Sequence, residues 1–486
     1  MTPTTLATAP PPRQLSQLPA KTQCLFLAFL TFAAALLRIS HLTAQGLNLD
    51  EGFSAYLGRT TLPDFAATVW NSEFNMVLYY ATLRLWMQLG HSEFVIRLIS
   101  VGFAAATVPA VYFLARRLFP DGWTPLIASL LLAVHPVHLM LSQDARSYSL
   151  VIMLVTLASL FFLRGLQSPS WANTAGYAFF SAAAVYSHFF ALLVIFGHAV
   201  ALVFYPGKLP AKRIVLAAFL LALFLLPFAA FMLRHSNVGH VSWVRPLHRQ
   251  QVLDLLYSLT LSKWRSLTYL TAWIVALVAA ESSSRDDAWP YRFTATWLFV
   301  PVLLTFAGSI WRPLLVERFL SVCIPACVVL AAAGIAIIAR RSRAAGLALV
   351  VLMVFYSASN IRHYFRHPEY GENWREATAY LLARAQPGDE VVLLPGLGPP
   401  TFDYYRERNP RKIVDLRLAD SASAPLPYPP PPNVWFIGPV LLTPNWADEA
   451  AAFAEAHRGE YCGEPPQPKS GSVRVWEFRL CAQAAK

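Results

Sequence analysis

Asn48-Leu49-Asp50-Glu51-Gly52-Phe53-Ser54-Ala55-Tyr56-Leu57 decides the reading of the fold, because it sets two adjacent carboxylates close behind the first long apolar run, residues 25–39. Charged side chains beside a bilayer are costly, so their presence demands an account. Leu49, Phe53, Tyr56 and Leu57 recur at helical spacing, which predicts a short helix lying in the membrane interface. Asn48 is placed to cap it, and Glu51 stands in the capping-box position three residues on. One account of the two acids is therefore structural: both fall in a first turn, where the helix dipole favours negative charge. The other is catalytic. Spacing alone does not choose between them.

The surrounding chain has membrane composition. Of its 486 residues 56% are hydrophobic and only 14% charged, outside the range of ordinary globular domains. The formal charge of +12 is carried by arginines scattered between apolar runs; this is no nucleic-acid stripe, and anionic membrane lipid is the natural partner. The five cysteines have no zinc-like spacing. Cys24, Cys323 and Cys327 lie in apolar runs as small hydrophobes. Cys462 and Cys481 lie in a polar region, where they form a candidate disulfide if that region faces an oxidising compartment. Residues 1–22 are expected to be a disordered cytoplasmic N-terminus, and 25–39 an uncleaved signal anchor.

Counting about 20 apolar residues per helix places spans near 23–43, 94–116, 123–142, 147–165, 172–187, 189–206, 214–233, 266–281, 293–311, 319–339 and 345–359. The chain reads as a polytopic α-helical membrane protein of about eleven spans. Segment 76–90 would make a twelfth, but it is short and carries Arg84, so it reads as interfacial. An N-terminus in the cytoplasm leaves Arg116, Arg117, Arg164, Lys208, Lys212, Arg213, Arg340, Arg341 and Arg343 in short inner loops. The first external loop, 44–93, then holds the Asp50-Glu51 helix and a second amphipathic piece that starts at Thr61-Leu62-Pro63-Asp64. Arg59, Arg146, Arg265, Arg312 and Arg318 fall on the same outer face, a cation excess that suits an anionic ligand such as a lipid phosphate.

Residues 360–486 change character. Helical periodicity over 373–385, a Pro387-Gly388-Asp389 turn, an apolar strand over 390–394, a helix over 401–408 and a strand over 412–418 come first. A strand over 434–437, a helix over 446–457 and a strand over 472–480 follow. Alternating strands and helices predict a small external α/β domain. Gly396-Leu397-Gly398 lacks the third glycine and is followed by two prolines, which argues against a dinucleotide site.

Carboxylates and arginines thus gather at span ends on one side of the membrane. Beside Asp50 and Glu51 stands Gln143-Asp144-Ala145-Arg146-Ser147-Tyr148, in a tight turn where Asp144 and Arg146 also suit a local ion pair. Glu317-Arg318-Phe319 offers a planar guanidinium fork to a phosphate, or a side chain that merely snorkels. His188, between two spans, suits a packing histidine better than a catalyst. A carboxylate that accepts a hydroxyl proton and arginines that neutralise a departing phosphate are what transfer from a lipid-phosphate donor requires. Serine-hydrolase and metalloprotease readings fail for want of G-x-S-x-G, H-E-x-x-H or a Cys/His cluster.

In the order and spacing of these motifs the chain resembles the GT-C membrane glycosyltransferases, in the family of the protein O-mannosyltransferases and the lipid A aminoarabinose transferase. Leu49-Asp50-Glu51-Gly52-Phe53 is similar to its acidic first-loop motif, and Phe74-Asn75-Met76-Val77-Leu78-Tyr79-Tyr80 to its following segment, with Met76-Val77 where prolines are common. Arg97-Leu98-Ile99-Ser100, Gln143 to Tyr148, Tyr186-Ser187-His188-Phe189-Phe190, Glu317-Arg318-Phe319-Leu320 and Trp374-Arg375 match further pieces. The W-W-D motif of oligosaccharyltransferases is absent. The resemblance implies Asp50 as catalytic base, Glu51 as supporting acid and Asp144 as second-loop acid. It implies substrate contacts from Tyr79, Tyr80, Arg146, Tyr148, His188 and Arg318. The implied enzyme is an inverting transferase of the plasma membrane of a bacterial-type cell. It would move a sugar from a polyprenyl phosphate to a hydroxyl of a glycan, lipid or protein on the outer face. No cofactor is required; a divalent metal is compatible with this chemistry but not demanded. The competing class is a transporter or flippase of lipid-linked sugars, which predicts repeated halves and charged or broken helices near the midplane. No repeat is evident, and the acids lie at the membrane edge.

Overall fold

The computed structural model describes residues 19–235, 244, 246–368, 371–393, 398–410, 416–419, 426, 428–439, 446–463, 466–467 and 472–481. Most of the expected N-terminal tail, the Gly396-Leu397 pair and residues 412–415 of an expected strand lie outside these. The chain forms two compact units. One comprises the described parts of 1–37, 101–142 and 147–361, and the other those of 38–100, 143–146 and 362–486.

The first unit is a helical bundle. A helix stands in every window expected to cross the membrane, but the helices are unequal. Across the chain's described residues, five are long and apolar enough to span: Ala20–Ile39, Glu93–Leu118, Tyr148–Gln167, Glu317–Arg341 and Arg343–Arg366. Two bent pairs raise the number to seven if each is one span: Trp123–Ala133 with Pro136–Ser142, bent by 55°, and Ala211–Phe224 with Leu226–Arg234, bent by 49°. Pro136 and Pro227 stand at the breaks, where a missing N–H and the ring's bulk interrupt the hydrogen-bond ladder. The other four windows hold Trp171–Ser187, Ala191–Leu202, Leu267–Glu281 and Arg285–Ser309, which are shorter or more polar.

Helix Ile324–Arg341 forms the core of this bundle and is buried without a break from Ile324 to Ala336. A Cβ on Gly334 would lie 1.9 Å from the carbonyl oxygen of Ala272, so only glycine lets helix Leu267–Glu281 approach this closely. Two buried indoles donate to carbonyls of this region, Trp273 Nε1 to Cys327 at 3.0 Å and Trp297 Nε1 to Val322 at 3.1 Å, satisfying their one polar group. Cys323 and Cys327 are buried in the same packing. Helices Ala20–Ile39 and Arg343–Arg366 instead turn Phe29, Phe32, Leu347 and Phe355 outward. Such apolar faces are costly in water and at home in lipid.

The second unit joins the first loop to the C-terminal region. Helix Leu49–Leu57 forms where the spacing predicts it, and Leu62–Asn71 follows with Thr61 as N-cap and a proline in its first turn. Segment 76–90 folds as the ten-residue helix Val77–Trp86 between two 3-10 turns, half the length a bilayer demands. Five strands, β1 (Glu390–Leu393), β2 (Arg417–Ala419), β3 (Asn433–Pro439), β4 (Tyr461–Gly463) and β5 (Val473–Leu480), make a mixed sheet in the order β2-β1-β3-β5-β4. β1 is parallel to both β2 and β3, while β5 is antiparallel to β3 and β4. Val434, Phe436, Phe453 and Phe478 build its core. Asp389, wholly buried, accepts from Asn433 Nδ2 at 2.9 Å and Trp435 Nε1 at 2.8 Å, tying the Pro387-Gly388-Asp389 turn to β3. A disulfide joins Cys462 to Cys481.

Candidate active site

The site is built on the first turn of helix Leu49–Leu57. Asn48 Oδ1 accepts from the backbone N–H of Glu51 at 2.9 Å, and the N–H of Asn48 donates back to Glu51 Oε2 at 3.1 Å. The N–H of Leu49 donates to Glu372 Oε2 at 2.9 Å, and the same oxygen accepts from Trp374 Nε1 at 2.8 Å. The helix start is thus closed by its own capping box and by a carboxylate from far along the chain. Burial pushes the Glu372 carboxyl above its ordinary pKa, opposed by these two donors.

The neighbouring acids have opposite surroundings. Glu51 is fully buried, and both of its oxygens are taken. Oε1 accepts from Arg97 Nε at 2.7 Å and the N–H of Ala145 at 2.8 Å, while Oε2 accepts from Arg97 Nη2 at 2.6 Å and from Asn48. Arg97 spends its remaining donors on the carbonyls of Leu42, Gln45 and Gly46, at 2.8 to 2.9 Å. All five guanidinium hydrogens are placed, so this pair is a saturated strut that ties the first loop to the 143–146 turn. Asp50 faces the other way. Its side chain keeps 32% of its exposure, and Oδ2 lies 3.9 Å from Arg146 Nε. Of the two acids, Asp50 is the one with exposed surface.

Arg146 organises the open side. Its Nη1 donates to the Tyr80 hydroxyl at 3.0 Å and contacts the Asp50 carbonyl oxygen at 3.4 Å. The Tyr80 hydroxyl in turn donates to Glu73 Oε2 at 3.2 Å. Burial raises the Glu73 pKa, a shift that Arg146 and Tyr80 oppose and the Asp50 charge reinforces. Tyr79 hydrogen-bonds Ser100 Oγ at 3.0 Å. The result is a guanidinium flanked by the carboxylates of Asp50 and Glu73.

The C-terminal region braces this arrangement. Arg375 pairs with Glu93 and donates to the carbonyls of Thr43 and Gln45. The Tyr405 hydroxyl donates to Glu93 Oε1 at 2.9 Å and accepts from the N–H of Leu47. Helix Gly398–Arg406 packs directly on the acidic helix at Gly52, where an added Cβ would meet Thr401 Cα at 2.8 Å.

Residues 76–232 match the family model described as dolichyl-phosphate-mannose-protein mannosyltransferase. Among solved structures the chain is similar to ArnT from Cupriavidus metallidurans bound to undecaprenyl phosphate, with a TM-score of 0.61 at 12% identity over 95% of this chain and 98% of that one. The chain has the GT-C glycosyltransferase fold. It is also similar to the oligosaccharyltransferase of Archaeoglobus fulgidus tethered to an acceptor peptide, with a TM-score of 0.55 at 12% identity over 95% of this chain and 74% of that one. The arabinofuranosyltransferase AftD from Mycobacteria gives a TM-score of 0.52 at 13% identity over 96% of this chain and 42% of that one. No curated protein matches the chain.

Of the nine residues assigned to the site from the sequence, Asp50, Glu51, Tyr79, Tyr80, Asp144 and Arg146 lie in the second unit. Asp144 lines a small cleft with Arg97, Gln143 and Tyr364, among others, to which neither Asp50 nor Arg146 contributes. Tyr148, His188 and Arg318 belong to the helical unit. There His188 is almost fully buried, its ring 4.7 Å from that of Phe319 and 6.0 Å from that of Tyr148. Its Nδ1 accepts from the N–H of Phe190 at 3.3 Å. Among the described residues no three His, Cys, Asp or Glu side chains converge as a metal site. Glu73 and Glu372 are the site residues that sequence reading passes over; Arg97 and Arg375 are visible in motifs but carry no role there. An arginine inside the otherwise apolar run that begins at Phe94 is the signal that could have found Arg97.

Proposed function

We propose that the chain is an inverting glycosyltransferase that moves a sugar from a polyprenyl phosphate to an acceptor hydroxyl on the outer face of the membrane, with Asp50 as general base. The observation that carries this reading is the division of labour between adjacent acids: Glu51 is sealed by four donors, whereas Asp50 is open and beside Arg146. Asp50 takes the proton of the acceptor hydroxyl as that oxygen attacks the anomeric carbon. The bond from the anomeric carbon to the phosphate oxygen breaks on the opposite face, and polyprenyl monophosphate leaves with the bonding pair. Arg146, planar and permanently charged, stabilises the phosphate as its charge develops. Arg318 is assigned a second phosphate contact on the strength of the family resemblance alone.

The topology belongs to the same proposal. Eleven crossings with a cytoplasmic N-terminus put the first loop and residues 360–486 outside a bacterial-type plasma membrane, where a disulfide between Cys462 and Cys481 is chemically at home.

The test compares cells lacking the gene and complemented with the wild type or with Asp50→Asn, using mass spectrometry of lipid-linked sugars and glycoconjugates. The unspent donor is expected to accumulate in the deletion strain and with Asp50→Asn, while purified Asp50→Asn protein still binds polyprenyl phosphate. Full complementation by Asp50→Asn would refute the assignment.

A further inference from the structure

In the helical unit, Phe161, Phe162, Tyr177, Ile195, Ala217 and Leu221 line an apolar cavity of about 180 Å³ between helices Tyr148–Gln167, Trp171–Ser187, Ala191–Leu202 and Ala211–Phe224. An apolar cavity of roughly 150 Å³ is enough to take up benzene, so this one has room for a stretch of hydrocarbon. Its polar lining lies at one end. Asn173 and Arg213 stand in the first turns of their helices, and Gly165 in the last turn of its own. From Arg213 to Leu221 the lining helix rises about 12 Å, so the cavity runs inward from that end.

That end is rich in cations, and the four helices that line it carry no acid. No Asp or Glu occurs between Asp144 and Asp254, a stretch that supplies all four helices and Arg164, Lys208, Lys212 and Arg213. None of these four cations makes an ion pair among the described residues. Lys212 and Arg213 occupy the first turn of Ala211–Phe224, where the helix dipole disfavours positive charge. Arg164 Nε is buried without a hydrogen-bond acceptor. The Arg213 guanidinium sits 4.4 Å above the ring of Trp171, which is 65% exposed. Tryptophan and arginine together mark the level of lipid headgroups.

We propose that this cavity is a binding site for one anionic membrane phospholipid, with an acyl chain in the cavity and the phosphate held by Arg213, Lys212 and Arg164. The site uses none of the residues of the acidic site. A zwitterionic lipid brings the same chain, but its ammonium group offsets the phosphate, so four cations that make no ion pair among the described residues select for net negative charge.

The test uses the full-length protein in nanodiscs of phosphatidylcholine and phosphatidylglycerol, with retained lipid read by native mass spectrometry. One phosphatidylglycerol per chain is expected to stay bound in preference to phosphatidylcholine. The double variant Lys212→Gln, Arg213→Gln should weaken retention roughly twenty- to thirtyfold, at about fivefold per cation. Gly165→Leu supplies a second arm: Gly165 lines the cavity and a Cβ there meets nothing within 4 Å, so the leucine side chain starts in open space and should expel the acyl chain. Equal retention of the two lipids, retention unchanged by Gly165→Leu, or preferential retention of undecaprenyl phosphate when all three lipids are supplied would each overturn the proposal. If either variant fails to elute and unfold like wild type in phosphatidylcholine discs, the other variant and the wild-type lipid preference decide.

Discussion

Replacing Glu51 by Gln and, separately, Asp50 by Asn should separate stability from activity at adjacent positions. Each Glu51 oxygen accepts two N–H donors. Whichever way the substituted side-chain amide is turned, its NH₂ therefore faces two donors and cannot replace either bond. Arg97 would keep its charge in a site where it is 3% exposed, left with backbone carbonyls and with the charges of Asp144 and Glu93 in place of a hydrogen-bonded carboxylate partner. Breaking a buried pair from one side costs about 3–5 kcal/mol. Asp50 is different: it is partly exposed and 3.9 Å from its cation, and without it Arg146 keeps its bond to Tyr80 and the charge of Glu73, so the loss should cost less than breaking the Glu51 pair. Equilibrium unfolding in mixed micelles should thus show Glu51→Gln severely destabilised and Asp50→Asn closer to wild type, while sugar transfer is lost in Asp50→Asn. If Glu51→Gln unfolds no more easily than Asp50→Asn, Glu51 is not the strut described and the division of labour fails.

Gly52→Ala should cost about 1–3 kcal/mol through overpacking, because its Cβ meets Thr401 at backbone as well as side-chain atoms; Thr401→Ala should rescue it only in part, as measured by unfolding of the double variant. Burial raises the Glu73 pKa, so the folded state holds that proton more tightly than the unfolded chain does. The stability this contributes is fully present below the ordinary carboxylate pKa and is lost as pH rises through the raised value. Thermal unfolding across this range should therefore show wild type losing ground to Glu73→Gln with rising pH, and the opposite slope would refute the burial argument. Cys462→Ser opens a loop of sequence separation 19 and should cost about 3 kcal/mol; wild-type protein purified from whole cells should resist thiol alkylation at Cys462 until it is reduced.

What was legible in the sequence is what local spacing encodes. Asn48 and Glu51 stand three apart, so their capping box follows from the chain alone, and so do the helix in each apolar window and the strand-helix alternation after residue 360. The breaks at Pro136 and Pro227 were equally local, but a hydropathy ruler counts apolar residues and overlooks the bend. The site's long-range ties were not legible, since no period links Glu51 to Arg97 across 46 positions or Leu49 to Glu372 across 323. Gly52 shows where such information leaks into the local pattern. A glycine inside a helix costs roughly 1 kcal/mol against alanine, and no positive φ at Gly52 requires it. A glycine that local conformation does not need, next to two acids, points to a backbone approaching from elsewhere in the chain. Helix Gly398–Arg406 makes that approach at Thr401, so the residue after Asp50-Glu51 reports the C-terminal brace that holds those acids in place.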